Sequence, residues 1–492
     1  MKTQHHPHQI LLQPTDVLFF RDGRPMTGAH AGHTAAWPLP DITNHALHAA
    51  LHRAGLNGVH SHNHTEGNNR RRRSASRKFG SLLTAGPFPV RVEESGQLTW
   101  FFPRPQDAPL AGSVEVTLVP ATNAGAPPDD RWTGSSLPAM LRYAVVNTRP
   151  PSKDTKGEPW INAAALAQYL GNGAGNEKPA FVRDEEIADQ EAQIGIAIDP
   201  DTQTAGRGAV SGMIYSAHYL RLRDHWRLGL FAEAMDKLDS DPTQRRDLIA
   251  ELFRDGPHRI LVGGQQRICT ACATTTDGDP LPLPTGLTQP NQFHRLPDGK
   301  FAVKWILLSP AIWPEIPAGT AANGTTRQHH PGGWLPNWVC PQSGAVLLRI
   351  VPREERRRRR SLDYTNRGYD GSANSQEIRA RLVAALVPKP LVVTGWALST
   401  EANPDDHGAK STHLAVPAGA VYYFEADSPD EAANLASVLN WQADSAANQI
   451  KNRRSTLLGE KGYGLGICGT WQHQVTPTSG NVPGAATNPE TK

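Results

Sequence analysis

The segment Gly459-Glu460-Lys461-Gly462-Tyr463-Gly464-Leu465-Gly466 places four glycines within eight residues near the end of the chain. Such density is incompatible with the interior of a helix or strand, where every glycine carries an extra entropic cost. The segment is therefore a tight loop, and the residues before it say where the loop sits. Ser428-Pro429-Asp430-Glu431 is a helix start, a hydroxyl cap followed three residues later by glutamate, with proline at the first helical position. Leu435, Val438 and Leu439 then share one helical face. Residues 421–425 upstream read as a strand, so the C-terminal unit runs strand, helix, Arg453-Arg454, glycine-rich loop. Two readings of the loop stand side by side. Its successive N–H groups can form an anion-binding nest, with Lys461 adding charge and Tyr463 a stacking surface, or it is a tight structural turn. It is not a Walker loop, because no Gly-Lys-Ser/Thr closes it, nor a dinucleotide fingerprint, because it follows a helix.

Elsewhere short apolar runs alternate with turn signals. Residues 10–12 and 16–20 read as an opening strand that ends at Arg21-Asp22-Gly23-Arg24-Pro25. A helix capped by Thr43 follows, with Ala46, Leu47, Ala50, Leu51 and Ala54 on one face. Residues 90–92 and 98–102 form strands joined at Glu94-Ser95-Gly96, and 194–198 and 213–222 form two more. Residues 235–253 read as a helix and 260–262 as a strand running into Gly263-Gly264. Further strands are expected at 301–308, 346–351 and 391–396. Without regular βαβ alternation the class is α+β. The element count fits two modified ferredoxin-like (RRM-like) domains with long loop insertions and the C-terminal glycine-rich loop. The expected boundaries are 1–276 and 300–472 for the domains, 277–299 for a linker and 473–492 for a disordered tail. With Gly 44 and Pro 41 in 492 residues, the extra length falls in insertions such as 61–78.

Charge and cysteine content narrow the chemistry. Lys+Arg 50 against Asp+Glu 47 gives +3, which excludes a general basic coat while leaving room for a local patch. The cations divide into 37 Arg and 13 Lys, a bias suited to bidentate phosphate contacts, although a GC-rich genome produces the same bias. The runs 70–73 and 356–360 are all arginine, but no aromatic residue interleaves them, and they read as solvated insertions. Eleven of the 20 His precede position 65, with His45, His48 and His52 on a narrow arc of the first helix. That arc reads as a solvated face, with a metal site as the sharper alternative. Cys269-Thr270-Ala271-Cys272 lacks a second cysteine pair at zinc-knuckle spacing, so no metal and no cofactor are expected. Four Cys give no disulfide framework. The N-terminus has no apolar signal core, and the nearest apolar window, 382–398, is broken by Pro388, Lys389 and Pro390. A cytoplasmic protein without membrane contact is expected. Nucleophile-elbow, zincin and phosphate-loop signatures are absent.

The sequence Pro14-Thr15-Asp16-Val17-Leu18-Phe19-Phe20-Arg21-Asp22-Gly23-Arg24-Pro25, followed by Trp37-Pro38-Leu39-Pro40, resembles the N-terminus of the third-subunit family of the Cmr complex. That complex is the type III-B CRISPR RNA-guided effector, and the family belongs to the RAMP superfamily. Further similar segments follow in the same order. They are Gly86-Pro87-Phe88, Phe102-Pro103-Arg104-Pro105, Ile194-Gly195-Ile196-Ala197-Ile198-Asp199, Tyr215 through Leu222, Gly263-Gly264, Ala415-Val416-Pro417-Ala418-Gly419 with Tyr422-Tyr423-Phe424, and the loop 462–466. Gln193 and Gln265 depart from the pattern, which has Arg and an acidic residue there.

The resemblance implies a non-catalytic subunit in antiviral defence. Such a subunit holds the repeat-derived 5′ tag of the guide RNA (crRNA) and bridges the large polymerase-like subunit to the backbone RAMP subunits. On this reading Arg21, Arg24, Lys461, Gly462, Tyr463 and Gly464 contact the tag, with Arg53, Arg267, Arg453 and Arg454 as further phosphate contacts. The glycines would let RNA approach the backbone closely, and splayed bases would stack on Tyr463 or on arginine planes. The rival is a metal-independent guide-RNA-processing endoribonuclease of the same superfamily using a His base. A His-rich metal-binding protein is a third reading.

Overall fold

The computed structural model describes residues 7–20, 31–32, 37–56, 81–108, 116–121, 137–147, 157–171, 181–196, 198–199, 201–204, 214–237, 245–274, 281–320, 326–350, 375–397, 408–409, 411–442 and 450–472. The elements that matter below are, in chain order, β1 (His8–Pro14), α1 (Pro40–Arg53), β2 (Leu82–Val92), β3 (Leu98–Pro103), α2 (Ala163–Leu170), β4 (Ala188–Ile196), β5 (Ile214–Leu222), β6 (Trp226–Lys237), α3 (Leu248–Leu252), β7 (His258–Leu261) and β8 (Ile268–Ala273). The second half contributes β9 (Phe301–Leu307), β10 (Ala380–Leu386), β11 (Val421–Ala426), α4 (Pro429–Leu439) and β12 (Gly466–Gly469). The fold is α+β, with mostly antiparallel sheets and few helices.

The centre of the first sheet runs β8-β1-β6-β2, all antiparallel, with α1 between β1 and β2 and α3 between β6 and β8. The centre of the second runs β12-β9-β11-β10, again antiparallel, with α4 between β11 and β12. The same spatial order therefore occurs twice. In chain order, residues 308–379 stand between β9 and β10 where α1 stands between β1 and β2.

Alternation along the strands builds three apolar layers. Ile10 and Leu12 point towards α1 and α3, where Leu47, Leu51, Leu248 and Ile249 are buried. Leu11, Phe88, Trp100 and Phe231 point the other way and meet Ile306, Val421 and Tyr423 of the second sheet and Trp441 just beyond α4. Val303, Trp305, Tyr422 and Phe424 face a third layer with Leu435 and Leu439 of α4. The two sheets thus lie face to face, and Phe231 stacks on Trp441 with ring centroids 5.8 Å apart. The stretch expected as a linker is described from residue 281, and it buries Leu281, Leu283, Leu287, Phe293 and Leu296 against these layers.

Several local expectations change. The helix expected over 235–253 is the end of β6, a short strand Arg245–Asp247 and the five-residue α3, whose first amides donate to the Asp247 carboxylate. Residues 238–244 lie outside the described set. Phe231-Ala232-Glu233-Ala234-Met235 is rich in helix formers, but pairing on both sides with β1 and β2 overrides that local preference. β10 was not anticipated, for the same reason. α1 begins at Pro40 rather than at a Thr43 cap, and the Thr43 hydroxyl instead donates to the Pro40 carbonyl at 3.2 Å. Its histidine arc is not solvated throughout, since His48 is buried and its ring stacks on His52. At α4 the Ser428 hydroxyl accepts from the Glu431 amide, while the Glu431 carboxylate accepts from the Arg379 amide, outside the helix. Among the described residues no helix is long and apolar enough to cross a membrane.

Candidate nucleic-acid interface

The opening motif is clamped at its aromatic end. Val17, Leu18 and Phe20 are buried. Leu18 and Leu220 of β5 exchange two backbone hydrogen bonds of 2.8 Å. Phe19 packs on Tyr219 with centroids 5.5 Å apart, and its carbonyl accepts from the Gly264 amide in the β7–β8 turn. That turn carries Arg267, whose guanidinium lies 4.9 Å from the Tyr219 ring centroid and 3.7 Å from the Asp16 carboxylate. Gln265 closes the arrangement, its side-chain oxygen accepting from the Tyr219 hydroxyl at 2.9 Å and from Arg267 at 3.3 Å. A neutral amide thus provides both acceptor functions at this position. Arg21 and Arg24 lie outside the described residues, and the chain enters them from the buried Phe20.

A patch of paired charge flanks this anchor. Arg221 bonds to both Asp16 and Glu191, and Arg223 to Asp189, which holds both guanidiniums more firmly protonated than usual. With Arg227 and His225 they border an open cleft of about 410 Å³. None of these side chains was singled out from the sequence. Their signal is the spacing of Arg221 at the end of β5 and Arg223 just beyond it, near Glu191 and Asp189 on β4, which becomes legible only once the register Arg221↔Asp189 is known.

The glycine-rich loop is turned inward. The amides of Lys461, Gly462 and Tyr463 donate to carbonyls of Leu458 and Gly459, that of Gly464 to Pro310, and that of Leu465 to the Ser309 hydroxyl. The five successive amides of residues 461–465 are therefore already used, and the structural-turn reading is the one the geometry supports. Gly462 and Gly464 have φ of +94° and +77°. A Cβ on Gly462 would lie 2.9 Å from the Thr84 carbonyl, and one on Gly464 would fall on the Ser455 amide. The close approach that these glycines permit is to the protein itself, to Thr84 and Pro40 of the first half for Gly462 and to Arg454 and Ser455 of the second half for Gly464.

Tyr463 is fully buried, packed with Ile312, Val393 and Ala415, and its hydroxyl donates to Asp41 of α1 at 2.8 Å. That environment pushes its pKa upward, burial first and the neighbouring carboxylate second. The ring is thus a weld between the halves and offers no stacking face. Lys461 is also buried, 1% exposed. Arg454 reaches the Val438 carbonyl at 2.6 Å and the Asn452 side chain at 3.3 Å, and its surroundings lower its pKa to about 10. Arg453 is half-buried beside Glu233, and Arg53 is exposed at the end of α1. Of the ten residues singled out, the structure gathers Lys461, Gly462, Tyr463, Gly464, Arg453 and Arg454 around the junction of the halves, and sets Arg267 beside the opening motif.

The remaining candidates resolve locally. Cys269 and Cys272 sit three apart on β8 and so face opposite sides of the sheet, Cys269 among residues packed on α1 and Cys272 towards the layer between sheets. They do not converge on one ion. Burial pushes the Cys269 thiol up to about 12. Among the described residues no three His, Cys, Asp or Glu side chains come together as a metal site.

Between the sheets lies a buried polar network that the sequence did not announce. Asp107 accepts hydrogen bonds from the Tyr169 hydroxyl of α2 and from the Tyr423 hydroxyl of β11, the latter at 2.9 Å. Lys304 of β9 stands 3.6 Å from the Asp107 carboxylate and 3.6 Å from the Tyr169 ring centroid. Glu425 of β11 is bound in the same way by Arg142 and by the Tyr143 hydroxyl at 2.8 Å.

The family model of the CRISPR-associated protein Cas_Cmr3 matches residues 10–471. No curated protein matches the chain. Among solved structures, two cryo-EM structures of the type III-B Cmr-beta complex, one bound to cognate target RNA and one bound to cognate target RNA and AMPPnP, each contain a similar chain. Each is 13% identical with a TM-score of 0.34, the match covering 84% of this chain and 86% of that one. With its opening motif, its doubled sheet order and a family match over nearly its whole length, the chain belongs to the Cmr3 family, the third-subunit family of the type III-B CRISPR effector.

Proposed function

We propose that this chain is a non-catalytic RNA-binding subunit of type III-B CRISPR interference that holds the 5′ repeat-derived tag of the guide RNA and bridges the large subunit to the backbone. The observation that carries the proposal is the clamp on Phe19 and Phe20, with Arg267 fixed over Tyr219 at its edge. Arg21 and Arg24 follow this anchor in the sequence, and Arg267 is held beside it. A single-stranded tag takes phosphate contacts and guanidinium stacking from such a group. Lys461, Gly462 and Tyr463 serve that surface indirectly, by fixing α1 and the first half against the second, and Gly464 by closing the loop on its own half. The doubled strand order, with a helix before the last strand of each half, supports two ferredoxin-like units.

Filter binding of a tag-sequence RNA tests the assignment. Replacing Arg21, Arg24 and Arg267 together by Ala lowers affinity and reduces the slope of log K against log salt by about 2, at ~0.7 per phosphate contact to a single strand. An unchanged slope sinks it. Specific cleavage of repeat RNA by the purified chain in EDTA would instead establish the nuclease reading.

A further inference from the structure

The turn between β7 and β8 is built against backbone preference. Gln265 and Gln266 both lie in the left-handed region, with φ of +54° and +52°. A side chain is strained there and glycine is not. Gly263 and Gly264 stand just before, yet the next two positions carry glutamine. At Gln265 the side chain has an identifiable use. Its Oε1 accepts from the Tyr219 hydroxyl at 2.9 Å and from the Arg267 guanidinium at 3.3 Å. A guanidinium only donates, so the amide presents its oxygen to Arg267 and turns Nε2 away.

Among the described residues that bond is the single hydrogen bond of the Arg267 side chain, whose Nε is buried without a partner. The guanidinium is thus located by the Gln265 oxygen, by the Tyr219 ring 4.9 Å away and by Asp16 at 3.7 Å. Asp16 neutralises it only in part, because Arg221 stands closer to that carboxylate, at 2.9 Å. An arginine with so few partners, still 27% exposed, keeps donors and charge for an anion from outside.

We propose that Gln265 is the positioning residue for the contact of Arg267 with an RNA phosphate. Its oxygen fixes the guanidinium beside Tyr219, and because the amide is neutral it does so without cancelling the guanidinium charge. Glutamate could accept the same two hydrogen bonds. However, Asp16, Glu191, Arg221 and Arg267 already sum to zero, and a further carboxylate would turn the cluster negative and repel a phosphate. Glycine would relieve the strain but leave Arg267 without its hydrogen bond. The proposal deepens the tag reading above and rests on it, since it names the residue that orients one of its phosphate contacts.

The test is filter binding of the tag-sequence RNA over a salt series, read beside thermal unfolding of the same full-length variants. Arg267→Ala lowers the slope of log K against log salt by ~0.7, the value of one phosphate contact to a single strand. Gln265→Glu, which keeps both acceptor functions, loses the same ~0.7 in slope and about tenfold in affinity. Gln265→Gly keeps the slope and loses about threefold in affinity, the cost of an unheld side chain. Added to Arg267→Ala, it loses nothing further. Melting temperatures of the Gln265 variants stay within about 1 °C of the parent. Parental affinity and slope in Gln265→Glu overturn the proposal, as does a second loss when Gln265→Gly is added to Arg267→Ala. A loss of affinity that tracks a fall in melting temperature across the Gln265 variants overturns it in favour of a purely structural role. An unchanged slope in Arg267→Ala, beside a weakened triple arginine variant, overturns it and leaves the tag reading standing. An unchanged slope in the triple variant strikes both.

Discussion

Gly464→Ala is the sharpest probe of the glycine-rich loop. At φ +77° a side chain costs about 1–2 kcal/mol from the left-handed conformation alone. The new Cβ also falls on the Ser455 amide and the Arg454 backbone, and the forced shift adds about 1–3 kcal/mol. The sum, about 2–5 kcal/mol, is a large share of a typical total of about 5–15 kcal/mol. At about 1 °C per kcal/mol for a chain of 492 residues, the melting temperature falls by about 2–5 °C. Gly96→Ala is the control, because Gly96 has φ +83° with nothing within 4 Å of its Cβ position. It reports conformational strain without crowding and loses only about 1–2 kcal/mol. Thermal unfolding is read beside tag-RNA filter binding well below the transition. The expected outcome for Gly464→Ala is a lowered transition with RNA affinity within twofold of the parent. A transition within 1 °C of the parent together with a tenfold loss of RNA affinity would refute the reasoning, because the glycines would then be making room for RNA.

Other perturbations address the seam between the sheets. Asp107→Ala leaves the Lys304 ammonium buried without its carboxylate and costs about 3–5 kcal/mol in urea unfolding, and adding Lys304→Met recovers part of that loss. Glu233 is raised to about 7, by burial first, on β6 beside Arg453. Between pH 4.5 and 7 the folded state therefore binds more protons than the unfolded state, so this group's contribution to stability declines as pH rises through that window. Glu233→Gln flattens that limb of the pH–stability curve, and an unaltered limb contradicts the assignment. Tyr463→Phe removes the hydrogen bond to Asp41 and costs about 1 kcal/mol without changing RNA affinity.

What the sequence shows and what it hides follow one rule. Elements held by local signals are legible: α4 through Ser428 and Pro429, the β2–β3 turn through Glu94-Ser95-Gly96, and the β4–β5 ribbon through β-branched and aromatic residues. β6 and β10 are not. Both are strands with buried positions on two faces that carry helix formers, Ala and Leu in each with Glu and Met besides in β6, and only their sheet partners fix them. The candidate site divides in the same way. The opening motif announces itself in sequence, but Tyr219 and Gln265 join it through contacts nearly fifty and two hundred or more residues away from one another or from the motif. The glycine-rich loop misleads because a glycine that admits a ligand and one that admits another part of the same chain look identical until the neighbour is seen. Arg454 is the companion case, an arginine whose partners are backbone carbonyl and amide oxygens rather than phosphate.

The most direct measurement is photo-cross-linking of a tag-sequence RNA carrying 4-thiouridine at successive positions, with cross-linked peptides mapped by mass spectrometry. The account predicts adducts in 19–24 and 263–267, where the clamped motif meets the Arg267 turn. Adducts confined to 459–466 would contradict it, since Tyr463 is buried and the amides of 461–465 are bonded within the protein.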